Sequence, residues 1–322
     1  MKIKAFKNVY YKGEQSYFLK PSRAAYYTGI WSRLIQETCP DLNACYLDVH
    51  SSILPSTNNV DYDTTVPNAG MFRGTMQDYR TLFDSLRNNH HGPVQGEGGN
   101  QIFYQGYADD IEARLEIPNK YAPGNTLPVL VDFDMLKLKP KAFVHGVGYY
   151  PIFYTENDYR TPRATKEIVL QYIATELAFG HGGYIPTPDL TWSKDDSIIA
   201  HAKLEYKYVF SVQNDYADAE PEKILYNDNN NLKTVSDYIR SHPSTYSDIS
   251  SNDFMGQVKV IYSNGIIVCV NRNPTRSWQV DIGKPNGWFD YHANERLYTG
   301  VSETTTFTLP PENGWVVYDP LK

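Results

Sequence analysis

Two acidic residues stand at the ends of short apolar runs. Asp48 closes "ACYLD", after Ala44, Cys45, Tyr46 and Leu47, and Glu97 sits in "GPVQGEGG" between Gly96 and a Gly98–Gly99 pair. Glycine removes side-chain bulk and lets a ligand approach the backbone closely. A carboxylate at the end of a buried strand is costly unless it is partnered or put to use. Each acid also has a plain structural reading: Asp48 as a loop cap accepting backbone N–H groups, Glu97 as a solvated turn residue. What favours chemistry is the pairing. The two acids end consecutive strand candidates with one complete helix between them, and adjacent strands lie ~4.8 Å apart. Two carboxyl groups ~5–5.5 Å apart are what a retaining glycosidase requires: one attacks the anomeric carbon, and the other protonates the leaving oxygen and then activates water. Asp48, with donors nearby, is expected to stay ionised as the nucleophile. Glu97, in a glycine-walled pocket cleared for a sugar ring, is expected to be the acid/base.

A wider set of residues is expected to bind the substrate. Asp132 and Asp134 in "VLVDFD" alternate with Val131 and Phe133, so they share one strand face and either hold sugar hydroxyls or cap the strand end. His50 follows Asp48 closely. His145 interrupts the apolar run "AFVHGVGYY", where a satisfied core histidine is the commoner explanation, and His181 lies in "FGHGGYI" among glycines. Tyr104, Tyr107 and Tyr149 either stack on sugars or pack in the core. The 27 tyrosines of the chain suit a sugar-facing surface as well as an aromatic core.

The elements that must position these residues read as strand, loop and helix. A helix over 22–37 starts with Ser22 as cap and carries Tyr26, Ile30 and Leu34 at i+4, with Tyr27 and Trp31 alongside; Pro40 ends it. A second, near 75–88, has a Thr75–Asp78 capping box and an apolar face of Met76, Tyr79, Leu82, Phe83 and Leu86. Asp109 and Asp110 read as a helix N-terminus. Buried strands are expected at 127–134 and 142–150, then a helix with Ile168, Val169, Tyr172, Ile173 and Leu177 on one side, stopped by Gly180. Helices follow at 198–214 and 231–241. From Gly256 the pattern turns to period 2, with a hairpin about Ser263–Asn264–Gly265.

Short apolar runs alternating with amphipathic helices predict an α/β fold with parallel strands, a (β/α)8-type barrel over 1–250. Fewer than eight strand–helix units precede residue 200, so the barrel is expected to be incomplete at its N-terminus, or to have its opening strands outside this sequence. Residues 253–322 are expected to form a separate antiparallel β-sandwich.

Composition narrows the classes. The chain has 322 residues, 41% hydrophobic, and a net charge of -7 without a basic stripe, which argues against a nucleic-acid partner. No apolar run reaches the ~20 residues of a membrane span. The N-terminus has no signal-peptide h-region. Cys39, Cys45 and Cys269 have no metal-type spacing and read as free thiols. No phosphate loop, dinucleotide fingerprint, zinc-helix motif or nucleophile elbow is present. His90–His91 is not ligand spacing, and Asp61 and Asp63 supply too few oxygens for calcium. Neither a cofactor nor a metal is expected.

The segments "NACYLDVHSS", "GPVQGEGG", "VLVDFDMLKL", "HGVGYYPIF", "LAFGHGGYI" and "NGIIVCVNRN…LPPENGWVVYD", in this order, resemble bacterial barrel glycosidases of the endo-α-N-acetylgalactosaminidase type and their uncharacterised relatives. The resemblance implies a retaining α-glycosidase with a (β/α)8 barrel. It implies an Asp nucleophile after the fourth strand and a Glu acid/base after the fifth, positions that match Asp48 and Glu97. It also implies an oligosaccharide or glycoconjugate substrate and an extracellular or cell-surface location. Two alternatives stand beside it. One is a noncatalytic carbohydrate-binding remnant of such a barrel; the other is a metal-dependent barrel hydrolase using Asp132, Asp134 and His145.

Overall fold

The computed structural model describes residues 9–11, 14–16, 19–52, 60–97, 103–104, 106–112, 143–145, 165–183, 196–241 and 256–322. The chain divides into two compact units, Met1–Glu112 and Ala113–Lys322. The expected strand 127–134 lies outside the described residues, and of 142–150 only the part discussed below is described.

In the first unit, strands β1 (Val9–Tyr11) and β2 (Glu14–Ser16) pair antiparallel. Helix α1 (Pro21–Thr38) begins with Pro21, whose fixed φ and missing N–H suit the first helical turn. Lys20 holds the cap position without a side-chain bond to the helix; its ammonium group pairs with Asp63 instead. Ser22 therefore does not cap the helix; its hydroxyl donates to Asp61 Oδ2. The covered face of α1 also differs from expectation. Tyr26 and Trp31 are 63% and 65% exposed, and Ile30 and Leu34 are exposed too. Small residues make the contact with the next helix instead: Ala24 and Ser32 are buried, and Ser32 Oγ lies 3.1 Å from His90 Nε2.

That next helix, α2 (Phe72–His90), buries Met76, Tyr79, Leu82, Phe83 and Leu86, as its periodicity predicts. It starts earlier than the Thr75–Asp78 pair indicates. Thr75 is buried inside the helix, and no side chain caps the N-terminus at Met71. His91, in the left-handed region at φ 55°, ends it.

Strands β3 (Cys45–Leu47), β4 (Val94–Gly96) and β5 (Asp110–Glu112) are parallel neighbours. Tyr46 pairs with Gln95 and Gln95 with Asp110; Leu47 pairs with Gly96 and Gly96 with Ile111. Asp110 thus opens a strand rather than a helix. Asp109, just before it, accepts the Val94 N–H (2.8 Å) and the Arg87 Nη2 (3.0 Å) through Oδ2. A parallel strand alternates its side chains between two faces. Val94 and Ile111, fully buried, take one face, whereas Tyr46, Gln95 and Asp110 take the other and are only partly covered.

In the second unit, strand β6 (Phe143–His145) lies within the segment expected to be a strand. Helix α3 (Lys166–Phe179) is capped by Thr165, whose Oγ1 accepts the Ile168 N–H (3.3 Å), and stops at Gly180 at φ 60°, as its sequence predicts. The helix expected over 198–214 is two, α4 (Asp196–Tyr208) and α5 (Phe210–Ala217). Strands β7 (Pro221–Asp228) and β8 (Asn231–Lys233) form a hairpin. Asn229 and Asn230, both at positive φ (50° and 69°), make its two-residue turn. Helix α6 (Val235–Ser241) comes after it, so residues 231–241 are strand then helix, not one helix.

Strands β9 (Gln257–Tyr262), β10 (Ile267–Asn271), β12 (Gly287–Ala293), β13 (Arg296–Ser302) and β15 (Gly314–Asp319) join β7 and β8 in one antiparallel sheet. Its order is β13-β12-β15-β10-β9-β7-β8. The predicted hairpin turn joins β9 to β10, with Gly265 at φ 89°. One face (Val258, Val260, Tyr262, Val270, Val317) packs with Tyr172, Ile173, Tyr208, Val212 and Tyr216 from α3, α4 and α5. The other (Cys269, Phe289, Val316) packs on the ribbon of β11 (Trp278–Asp281) and β14 (Thr306–Leu309) through Trp278, Val280, Phe307 and Leu309. Among the described residues no helix is long and apolar enough to cross a membrane.

Candidate functional site

Asp48 and Glu97 are the residues immediately after β3 and β4, whose last residues, Leu47 and Gly96, are register partners. The two acids therefore stand side by side at the same end of adjacent parallel strands. Their environments differ. Asp48 is exposed, whereas Glu97 is only 6% exposed.

The backbone between β3 and the following loop explains the contrast. His50 N donates to Asp48 O (2.8 Å), closing a three-residue turn with Val49 at its centre at φ 68°. An i to i+2 bond around a positive φ is the strained form of the γ-turn, and a β-branched residue there is an outlier. The turn is tied to β4 from below. Glu97 Oε2 accepts the Val49 N–H (2.7 Å) and the Ser52 hydroxyl (3.0 Å), Ser51 Oγ donates to Glu97 O, and Glu97 N donates to Leu47 O (3.3 Å). A Cβ added to Gly96 would lie 2.5 Å from Ser51 Oγ. Gly96 thus makes room for this serine, not for the sugar ring the sequence suggested.

The remaining expected site residues fall into three groups. His50 stays with the turn: its Nδ1 lies 2.9 Å from Asp48 O, and its ring meets Tyr79 edge-on at 5.5 Å. Tyr104 and Tyr107 belong to the same unit. Tyr104 is fully buried against Phe83 and Tyr79, with its hydroxyl pKa raised chiefly by burial. The Arg80 guanidinium lies 4.4 Å from the Tyr107 ring centre, and the Tyr107 carbonyl accepts Arg87 Nη2 (2.6 Å). His181 is in the second unit, buried, with Nδ1 3.7 Å from Glu176 Oε2 and its carbonyl accepting the Tyr216 hydroxyl. Asp132, Asp134 and Tyr149 lie outside the described residues, and of His145 only its place in β6 is described.

Sequence reasoning missed Gln95, Asp110 and Glu112. Tyr46, Gln95 and Asp110 are register partners and form one polar row across β3, β4 and β5. Glu112, two residues along β5 from Asp110, is buried at 8% exposure. The period-2 pattern D-I-E was the available signal. Nearby on α2, burial and then the charge of Asp61 push the Asp78 carboxyl up to about 6. Burial, with Asp78 adding, pushes the Tyr79 hydroxyl up to about 12. Among the described residues no group of three or more His, Cys, Asp or Glu is placed to hold a metal ion.

No protein family and no curated protein matches the sequence. Solved structures with similar chains are glycoside hydrolases. One is a quadruple mutant of alpha-N-acetylgalactosaminidase NagBb from Bifidobacterium bifidum, at 11% identity and a TM-score of 0.49, covering 81% of this chain and 34% of that enzyme. An Anoxybacillus alpha-amylase has 12% identity and a TM-score of 0.44 over 97% of this chain and 66% of its own. The Geobacillus thermoleovorans alpha-amylase complexed with acarbose has 13% identity and a TM-score of 0.44, over 97% and 68%. The chain therefore spans about a third of the first enzyme and about two thirds of the other two.

Proposed function

We propose that the chain is a glycoside hydrolase that cleaves α-linked glycans by double displacement, with Asp48 as nucleophile and Glu97 as acid/base. One observation supports the reading: Leu47 pairs with Gly96, so Asp48 and Glu97, the residues that follow them, come from distant parts of the sequence to the same end of adjacent parallel strands. That end is where barrel enzymes hold their chemistry. In this reading the sheet β3-β4-β5 is part of a (β/α)8-type barrel, and the antiparallel sheet follows it along the chain.

The carboxylates have separate tasks. Asp48, exposed on its turn, attacks the anomeric carbon and forms the glycosyl-enzyme. Glu97, whose Oε2 accepts from Val49 and Ser52, transfers the proton as acid/base. Asp48→Ala is expected to abolish hydrolysis of aryl α-glycosides. Glu97→Gln keeps an acceptor for the turn and is expected to spare the glycosylation of substrates whose leaving group needs no proton. A chelator is expected to leave the rate unchanged, which separates this reading from a metal-dependent hydrolase. Wild-type rates for Asp48→Ala would refute it.

A further inference from the structure

Helix α1 has two unlike sides. At ~100° per residue, Ala24, Ser32 and Gln36 share the side that packs on α2. Ala24 and Ser32 are buried there, and the Gln36 amide and Ser32 hydroxyl each lie 3.1 Å from a ring nitrogen of His90. Tyr26, Ile30 and Leu34 recur at i+4 on the opposite side, with Trp31 at its flank, and all four are between 40% and 65% exposed. Arg23 and Glu37, both exposed, stand seven residues before and seven after Ile30, so one cation and one anion bracket the apolar stripe on a single line. An exposed apolar stripe with a polar border marks an interaction surface.

We infer that this side of α1 seats a second copy of the chain, the two helices running antiparallel about a two-fold axis at Ile30. Residues equally far before and after Ile30 then face each other across the axis. Ile30 meets Ile30, Tyr26 meets Leu34, and Arg23 of each copy meets Glu37 of the other, twice by symmetry. A parallel pairing sets Arg23 against Arg23 and Glu37 against Glu37, so charge selects the antiparallel one. Within one copy the two charges are about 21 Å apart along the helix and cannot pair. An anionic lipid surface is the poorer occupant, because Glu37 closes the stripe and the chain carries a net charge of -7. Helix α1 has 18 residues and is about 27 Å long. One such face buries less than the ~1,200 Å² of a stable interface, so the dimer is a weak one, half formed on the order of 10–100 μM. The inference is independent of the glycosidase reading.

The test is sedimentation velocity on the full chain, loaded from micromolar to millimolar concentration, where monomer is expected to pass into dimer. Arg23→Glu and Glu37→Arg each set like charges across the axis and are expected to weaken the dimer about tenfold. An equimolar mixture of these two variants restores opposite charges between copies and is expected to associate as the wild type does. The double variant, Arg23→Glu with Glu37→Arg, is expected to do the same. Ile30→Glu places two like charges on the axis and is expected to abolish association. All three positions are exposed, and far-UV circular dichroism checks that each variant keeps its helices. A wild type that stays monomeric throughout overturns the inference, as does a dimer indifferent to Ile30→Glu. Association lost in the single variants and not regained in their mixture overturns the antiparallel pairing. Binding to phosphatidylserine vesicles without a dimer in solution overturns it in favour of a membrane surface.

Discussion

Gly96→Ala tests the geometry on which the candidate site depends. The added methyl would sit 2.5 Å from Ser51 Oγ, 3.1 Å from Ser51 Cβ and 3.6 Å from Phe83 Cε1. The first contact cannot persist, so Ser51 must leave. Its hydroxyl then no longer donates to Glu97 O, and a hydrogen bond of this kind is worth ~0.5–1.5 kcal/mol. Overfilling the space between the turn and α2 costs a further ~1–3 kcal/mol. Replacing glycine inside a strand returns ~0.5–1 kcal/mol. The net is a loss of roughly 0.5–4 kcal/mol. Ser51→Ala alone forfeits the hydrogen bond but also removes the clashing atom. The double variant is therefore expected to be more stable than the sum of the singles by ~1–3 kcal/mol. Urea unfolding followed by circular dichroism measures all four corners of the cycle. Hydrolysis of an aryl α-glycoside is expected to fall in Gly96→Ala, because the turn carrying Asp48 is displaced with Ser51. A Gly96→Ala protein as stable as wild type, or strictly additive singles, would refute the account of Gly96 as the space in which Ser51 sits.

Two further outcomes follow from the same unit. The Asp78 carboxyl, raised to about 6, favours the folded state fully below its unfolded value of ~3.9 and loses that contribution as pH rises through about 6. Asp78→Asn is therefore expected to match wild type near pH 4 and to exceed it at pH 7 by on the order of 1 kcal/mol after allowance for solvent screening, read by urea unfolding at both pH values; a variant destabilised at pH 7 contradicts this. Tyr104→Phe removes a buried hydroxyl that bonds no described residue and is expected to gain ~1 kcal/mol with sugar binding unchanged. Loss of sugar binding in that variant would return Tyr104 to the ligand-binding set.

Helices α1, α2 and α3 were legible because each carries a strong apolar period, and Gly180 marks its stop plainly. The Ser263–Asn264–Gly265 turn was legible because positive φ at glycine is a local property. What escaped depends on neighbours. The stripe Tyr26–Ile30–Leu34 announces a helix, but nothing local tells that α1 meets α2 through Ala24 and Ser32 instead. Strand β5 is three residues long, too short for a period, and its leading Asp109–Asp110 pair imitates a helix start. Residues 231–241 read as one helix because β8, at three residues, is too short to show a period of two.

Glu97 shows the same limit at the site. The sequence marks it through its glycines, and the structure gives one of those glycines a different reason. Gly96 is small so that Ser51 can bond the Glu97 carbonyl, while the Glu97 carboxylate holds the Val49 N–H of the strained turn. A left-handed β-branched residue costs on the order of 1–3 kcal/mol and persists only where its surroundings over-determine it. Here the bonds from Glu97, Ser51 and Ser52 do so. The acid proposed to deliver the proton thus also fixes the turn that carries Asp48, the proposed nucleophile. Substituting it changes two things at once, and only a variant that keeps an acceptor at this position, such as Glu97→Gln, can separate proton transfer from positioning.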